Sequence, residues 1–374
     1  MSVAGSDASS RPHIAPRLDD QLTGLTNKLF RRRGWQPRVV PYTGYRTTEW
    51  VRVLARVLLA PPRGAEPVDT ETTAARQQAT RGWRRFLTTP IEDVEVEVEL
   101  GGRAHLLRTA RGGYIDAVLP VELAPGWHEI PVRTADSRPT VVRVCIIGPQ
   151  PQLAIISDID DTVVVTHLPR PMIAAWNTFV LQESARTPVR GMAEFYREIL
   201  DRHPGALVVY LSTGAWNVAP TLTRFLSRNG FPEGPLLLTD WGPTNSGWFR
   251  SGRAHKHAVL RRLARELPQV RWLLIGDDGQ HDPQIYADFA REQPGHVVAV
   301  AIRQLTAVQQ VLSGSTNAAD KHLQPDAVRT VTGRDGFGLA SQLDDAVLLQ
   351  PGSSASIMAS MTETASPISA KNSN

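Results

Sequence analysis

The sequence predicts an α/β fold, a parallel sheet with helices on both faces, preceded by a mainly β, sandwich-like N-terminal domain. Three observations carry that reading. From residue 150 onward buried-type strand runs alternate with helical runs. Between residues 36 and 148 the runs are short and strand-like, and Gly-Gly and Pro-Gly pairs break them. Finally, 374 residues with 41% hydrophobic and 21% charged content suffice for two ordinary cores, which excludes wholesale disorder. The expected organisation is a flexible start with a basic amphipathic helix over 1–34 and a β-rich domain over 35–149. An α/β domain over 150–348 and a disordered Ser/Ala-rich tail over 349–374 complete it.

Residues 17–33 fit a helix with Leu18, Leu22, Leu25 and Leu29 on one stripe. Its end carries Lys28, Arg31, Arg32 and Arg33, and cations suit a helix C-terminus. Such a helix docks on its own protein or touches anionic lipid. In the β-rich region the alternation is clearest in IEDVEVEVEL, where Val94, Val96, Val98 and Leu100 oppose Glu95, Glu97 and Glu99. A row of glutamates at that spacing is a solvated strand face. The runs HLLRTA, YIDAVLPVEL, WHEIPVRT and TVVRVCII follow, and a helix-like insert near 68–87 interrupts the series. Cys145, in the last run, reads as a small core residue.

In the second region QLAIIS, ALVVYLS, PLLLT, RWLLIG and HVVAVAI read as strands. MAEFYREIL, VAPTLTRFLSRNG and HKHAVLRRLARELP read as the helices between them. Right-handed crossovers then give a parallel sheet, whose sites lie beyond the carboxyl ends of its strands.

Composition excludes several classes. One cysteine rules out an internal disulfide and a Cys-based zinc cluster. No apolar run approaches the roughly 20 residues of a membrane span, and the first residues lack a signal-peptide core. A soluble, cytoplasmic protein is expected, with peripheral contact to a membrane. The net charge is +4, and the segment through Arg38, with seven basic and three acidic residues, already accounts for all of it. A neutral body of this kind is no nucleic-acid-binding surface. Only four cations are lysines, so Lys256 within a polar cluster is informative.

The polar clusters fall where strands end. Ser157-Asp158-Ile159-Asp160-Asp161-Thr162 follows the first strand of the α/β region, and Gly276-Asp277-Asp278-Gly279-Gln280-His281-Asp282 ends the fourth. Carboxylates packed this densely repel one another. A divalent cation explains them best, and hard oxygen ligands suit Mg²⁺. Ser212-Thr213-Gly214 ends the second strand with hydroxyls and free N–H groups, and Lys256 opens a later helix. His255 and His257 form an H-x-H pair without a third soft ligand nearby, which argues against zinc. Trp216 and Trp241 suit loop packing, and His281 a loop carbonyl.

DIDDT at 158–162 resembles the DxDxT motif of haloacid-dehalogenase-type (HAD-like) phosphatases, and Ser212, Lys256 and the GD-x4-D run resemble that superfamily's later motifs in order. SDIDDTV, YLSTGAWN and IGDDGQHDPQIY resemble more specifically the phosphatidate phosphatases related to the fungal actin-patch enzyme, over roughly 150–345. The resemblance implies a HAD-like Rossmannoid sheet and Mg²⁺-dependent hydrolysis of phosphatidate to diacylglycerol and phosphate. It implies Asp158 as nucleophile through an aspartyl-phosphate, Asp160 as general acid/base and Lys256 as the charge-neutralising cation. Ser212 would bind a phosphoryl oxygen, with Thr213 as the alternative, beside Gly214 and Thr162. Metal ligands would come from Asp158, Asp160, Asp277, Asp278 and Asp282, with Asp278 and Asp282 dividing a metal role and the orientation of Lys256. Asp161 reads as a turn residue. Two other readings stay open: hydrolysis of a soluble phosphomonoester, and a catalytically idle lipid-binding scaffold.

Overall fold

The computed structural model describes residues 29–61, 89–165, 187–239, 252–279, 281–312 and 328–343. The helix expected over 17–33 is described only from residue 29; there 29–32 are helical, and Phe30 stacks on Trp35 with centroids 4.2 Å apart. The insert at 68–87, Trp241 and the tail beyond 349 lie outside the described residues. No described helix is long and apolar enough to cross a membrane.

The first unit holds β1 (Gln36–Arg46), β2 (Trp50–Ala60), β3 (Thr89–Pro90), β4 (Glu95–Leu100) and β5 (Arg103–Arg108). It continues with β6 (Tyr114–Pro120), β7 (Gly126–Thr134) and β8 (Thr140–Ile146). These strands make one sheet in the order β3-β2-β1-β8-β7-β4-β5, with β6 paired along β2. That differs from the sandwich expected. The ladder runs unbroken through the parallel β1–β8 pair, and the sheet curls until β5 and β6 approach each other. A curled sheet and two stacked sheets bury alternate residues alike, so alternation cannot distinguish them. Val96, Val98 and Leu100 point into the curl, whereas Glu97 faces out to a 2.6 Å ion pair with Arg133.

The other face of β1, β2 and β8 is apolar too. Val39, Val53 and Val144 fill the curl, whereas Tyr42, Leu54 and Cys145 join the core of the second unit. Cys145 is therefore a core residue, and burial pushes its thiol up to about 11. Polar contacts reinforce the seam. The Tyr45 hydroxyl donates to Glu266 at 2.7 Å, and Arg52 donates to Glu266 at 2.6 Å and bidentately to Asp116.

The second unit opens with β9 (Gln152–Ser157) and a small antiparallel pair, β10 (Val164–Val165) and β11 (Thr187–Pro188). Then come α1 (Met192–Arg202), β12 (Val208–Ala215), α2 (Ala219–Arg228), β13 (Leu236–Thr239) and α3 (Gly252–Glu266). β14 (Val270–Asp277), α4 (Asp282–Glu292), β15 (Val297–Arg303), α5 (Ala307–Leu312), β16 (Arg329–Gly333) and α6 (Gly336–Ala340) complete it. The sheet is fully parallel, ordered β13-β12-β9-β14-β15-β16. β16 was not expected, because RTVTG offers a single buried aliphatic side chain on an edge strand. From β9 the chain first builds toward β13 and then crosses back to β14. That reversal leaves a crevice at the carboxyl end of β9, and it sends crossovers to opposite faces.

Candidate active site

Strand order alone brings the polar clusters together. β9 lies between β12 and β14, with Ser157 opposite Tyr210 on one side and Ile275 on the other. Asp158 follows β9 and donates its N–H to the Ile275 carbonyl at 2.9 Å. Ser212 therefore emerges on one flank of Asp158, and Asp277 on the other.

Two helices supply the remaining charges from positions that their patterns reserve for apolar residues. The buried stripe of α3 is Lys256, Val259, Leu260, Leu263 and Ala264; that of α4 is Asp282, Ile285, Tyr286, Phe289 and Ala290. Both run i, i+3, i+4, i+7, i+8, so each charged residue occupies the first core position of an amphipathic helix. Lys256 Nζ donates to Asp158 Oδ1 at 2.6 Å and to Asp282 Oδ1 at 2.5 Å, with all three side chains no more than 3% exposed. Gly276 makes this possible. A Cβ there would stand 2.6 Å from Asp282 Oδ2 and 2.8 Å from Tyr286.

One ammonium does not balance the carboxylates around it. Burial raises the pKa of Asp158 well above the ordinary range; Lys256 opposes this, and Asp282 and Asp160 add to it. Asp277 is raised in the same way, first by burial and then by Asp282 and Asp158. Burial alone would lower the lysine, but Asp158 and Asp282 outweigh it and hold Lys256 above its usual range. Asp158, Asp277 and Asp282 each bring a carboxylate oxygen into a group spanning no more than 4.8 Å. In each of the three, Oδ2 is buried and has no hydrogen-bond donor among the described residues. A buried group of three carboxylates, each with one oxygen lacking a donor among the described residues, fits a hard divalent cation, and no His or Cys belongs to the group.

The turn after Asp158 is tightly wound. Val163 and Val164 donate to Ile159 O at 2.9 and 3.1 Å, and Asp161 donates to Val164 O at 2.8 Å. Asp161 takes φ of 55°, a left-handed conformation. Ser212 Oγ donates to Asp160 Oδ2 at 3.2 Å and accepts from Gly214 N at 2.9 Å. Thr162 is fully buried, and its hydroxyl lacks a partner among the described residues. Thr213 and Gly214 use their carbonyls to accept from Thr239 Oγ1.

Other residues singled out in the sequence lie elsewhere. Asp278 turns its carboxylate away from the group, accepting from Leu305 N at 2.8 Å and Gln310 Nε2 at 3.2 Å. Of the two aspartates considered for orienting Lys256, Asp282 is the one bonded to it. His257 faces Asp288, 3.9 Å away, and His281 occupies the position before α4 without a side-chain capping bond. Trp216 packs on Tyr42 of the β unit, centroids 4.7 Å apart. Sequence reasoning passed over Arg303. It ends β15 at 6% exposure and donates from Nη1 to the Asp161 carbonyl at 2.5 Å. Its position at a strand end was the available signal, but arginine is the common cation here and an isolated one attracts no notice.

The same stretch of chain is recognisable by comparison. Residues 153–304 match the family model for the catalytic domain of phosphatidate phosphatase APP1. The span runs from β9 to just past β15 and contains Asp158, Asp160, Ser212, Lys256, Asp277, Asp282 and Arg303. An uncharacterized protein of Schizosaccharomyces pombe is 28% identical over 154 residues, 41% of this chain and 25% of the relative. Phosphatidate phosphatase APP1 of Saccharomyces cerevisiae is 25% identical over 154 residues, 40% of this chain and 26% of the relative. The chain thus spans about a quarter of the length of these curated relatives. Among solved structures, the HAD domain of the effector Lem4 from Legionella pneumophila is similar at 15% identity and a TM-score of 0.28, covering 41% of this chain and 88% of that one.

Proposed function

We propose that the chain is a Mg²⁺-dependent phosphatase with a HAD-like α/β domain, acting on phosphatidate to release diacylglycerol and phosphate. The family match and the phosphatidate phosphatase relative support a phosphatase. The observation that carries the mechanism is the bridge Asp158–Lys256–Asp282 beside three unsatisfied carboxylate oxygens.

A carboxylate with one oxygen held by an ammonium and the other bare is oriented for in-line attack. Asp158 attacks phosphorus, the P–O bond to the diacylglycerol breaks, and an aspartyl-phosphate forms. Asp160, held by Ser212 on the open side of the turn, gives its proton to the departing alkoxide. It then takes a proton from water, which attacks the phosphorus, frees phosphate and restores Asp158. Lys256 stabilises the negative charge gathered between Asp158 and the phosphoryl group, and Asp282 fixes the lysine. Mg²⁺, held by Asp158 and Asp277 with Asp282 alongside, would offset the repulsion between a carboxylate and a phosphate dianion. The Asp160 carbonyl is a further candidate ligand.

A phosphatidate substrate places the enzyme at a membrane surface as a peripheral, cytoplasmic protein. The deciding experiment is phosphate release from micellar phosphatidate and from soluble monoesters, each with and without Mg²⁺. Mg²⁺-dependent release from phosphatidate is expected, and activity confined to small soluble esters would overturn the lipid assignment.

A further inference from the structure

We propose that Arg303 is a positioning residue of the active site, holding the Asp158–Thr162 turn in its reactive shape through the Asp161 carbonyl. The proposal builds on the phosphatase reading, which makes this turn the carrier of both nucleophile and acid/base.

Three features of Arg303 set it apart. First, its described hydrogen bonds go to neutral oxygens: Nη1 to Asp161 O at 2.5 Å, Nε to Arg334 O at 3.1 Å and Nη2 to Gln309 Oε1 at 3.3 Å. A guanidinium at 6% exposure ordinarily faces a carboxylate that repays its desolvation. Here burial lowers its pKa against the pull of Asp161, Asp277, Asp278 and Asp335, while its fork is spent on two carbonyls and an amide. Its charge thus backs the acidic cluster while its geometry serves the backbone.

Second, the carbonyl it grips belongs to the residue in the turn that needs restraint. Asp161 sits at φ of 55°, a region costly for residues other than glycine unless the surroundings enforce it. The turn's internal bonds come from Asp161 N and Val163 N, and its outer contacts at Asp160 and Val163, from Ser212 Oγ and Val189 N, leave the Asp161 carbonyl to Arg303. Arg303 ties it to the sheet from outside, two strands away from β9. Third, the other two arms hold the segment after β16 and the start of α5. One side chain therefore joins the Asp158–Thr162 turn, the segment after β16 and the first turn of α5 at the carboxyl rim.

Without the fork the Asp161 carbonyl loses its anchor and the turn relaxes toward a commoner backbone conformation. Asp158 and Asp160 flank that point, so both chemical steps lose alignment, and a displacement of about 1 Å costs about 100-fold in rate. Lysine keeps the charge but cannot bridge three acceptors in one plane.

The test uses the full chain, with Arg303→Lys and Arg303→Ala. Phosphate release from micellar phosphatidate with Mg²⁺ gives kcat and KM, and amide exchange read by mass spectrometry gives local protection. Both variants should lose about 100-fold in kcat at little-changed KM. Both should exchange faster over 158–165 while β9, β12 and β14 keep their protection. A near wild-type kcat in Arg303→Ala would overturn the proposal, whatever the exchange shows. So would protection lost evenly across the sheet in both variants, which marks a merely structural role. If the wild type hydrolysed no phosphate ester, the phosphatase reading would fall and exchange alone would decide: faster exchange confined to 158–165 supports the anchor, and unchanged exchange removes it.

Discussion

The two sheets of this protein treat polar side chains in opposite ways. The curled sheet buries apolar residues inside and, over β1, β2 and β8, against its neighbour, leaving polar groups such as Glu95 and Glu99 in water. Arg46, Thr109 and Thr134 are its few buried polar residues. Around the parallel sheet, Ser157, Asp158, Asp161, Thr162, Ser212, Lys256, Asp277, Asp282 and Arg303 are buried at strand ends or on the helices that meet them, with His203 and Thr221 as the other buried polar residues described there. A sheet covered on both faces has no solvated face to offer, so its polar groups collect at the rim. There they are desolvated together, and their mutual strain becomes chemistry.

Asp158→Asn should break that contrast most severely. It removes the oxygen proposed as nucleophile, and turnover should fall by about 10³-fold or more with the fold retained. Phosphate release and circular dichroism check both halves, and a variant keeping a tenth of the activity would reject the covalent route. Lys256→Arg should cost about 100-fold in kcat, because a planar fork cannot replace a compact ammonium seated between two carboxylates. Near wild-type rates would move Lys256 out of the chemistry.

The rim should also show in stability against pH. The raised Asp158 and Asp277 bind protons more tightly folded than unfolded. The cost of ionising them is absent near the unfolded value of about 4 and grows as pH rises to the folded one, so stability falls across that window. Lys256, raised in the fold, contributes fully below about 10.4 and does not change the sign. In chelator the protein should therefore melt higher at mildly acidic pH than above neutrality, and Mg²⁺ should reverse the order. Melting that rises steadily with pH in chelator would contradict the buried acidic cluster.

Smaller effects belong to the seam and the curled sheet. Glu266→Gln weakens the contacts from Tyr45 and Arg52 and should cost about 1–3 kcal/mol, read by denaturant unfolding. Glu99→Gln, on the exposed face of β4, should stay within about 0.5 kcal/mol. A larger loss there would mean that the glutamate row serves more than solvation.

Much of the site was legible because its residues sit at fixed offsets from recognisable strands. Asp158 follows QLAIIS directly, and Asp277 follows RWLLIG directly, so their shared rim follows from parallel topology. Asp282 was less legible. Its link to Lys256, 26 residues away, depends on two helices presenting charged residues at core positions of their stripes. Asp278 illustrates the opposite limit. It adjoins Asp277 in sequence, yet successive residues leaving a strand point to opposite sides, and its carboxylate serves the loop after β15.

By itself, the sequence determined the strand–helix alternation, the glutamate-faced β4 and the order of the polar clusters. These depend on periodicities of two and 3.6 residues and on local spacing. Only the tertiary structure decided that β9 lies between β12 and β14, that the N-terminal strands curl into one sheet, and that Arg303 reaches Asp161 across 142 residues. The reason is physical: local pattern reports which face of an element is buried, whereas its neighbours are chosen by packing the whole chain.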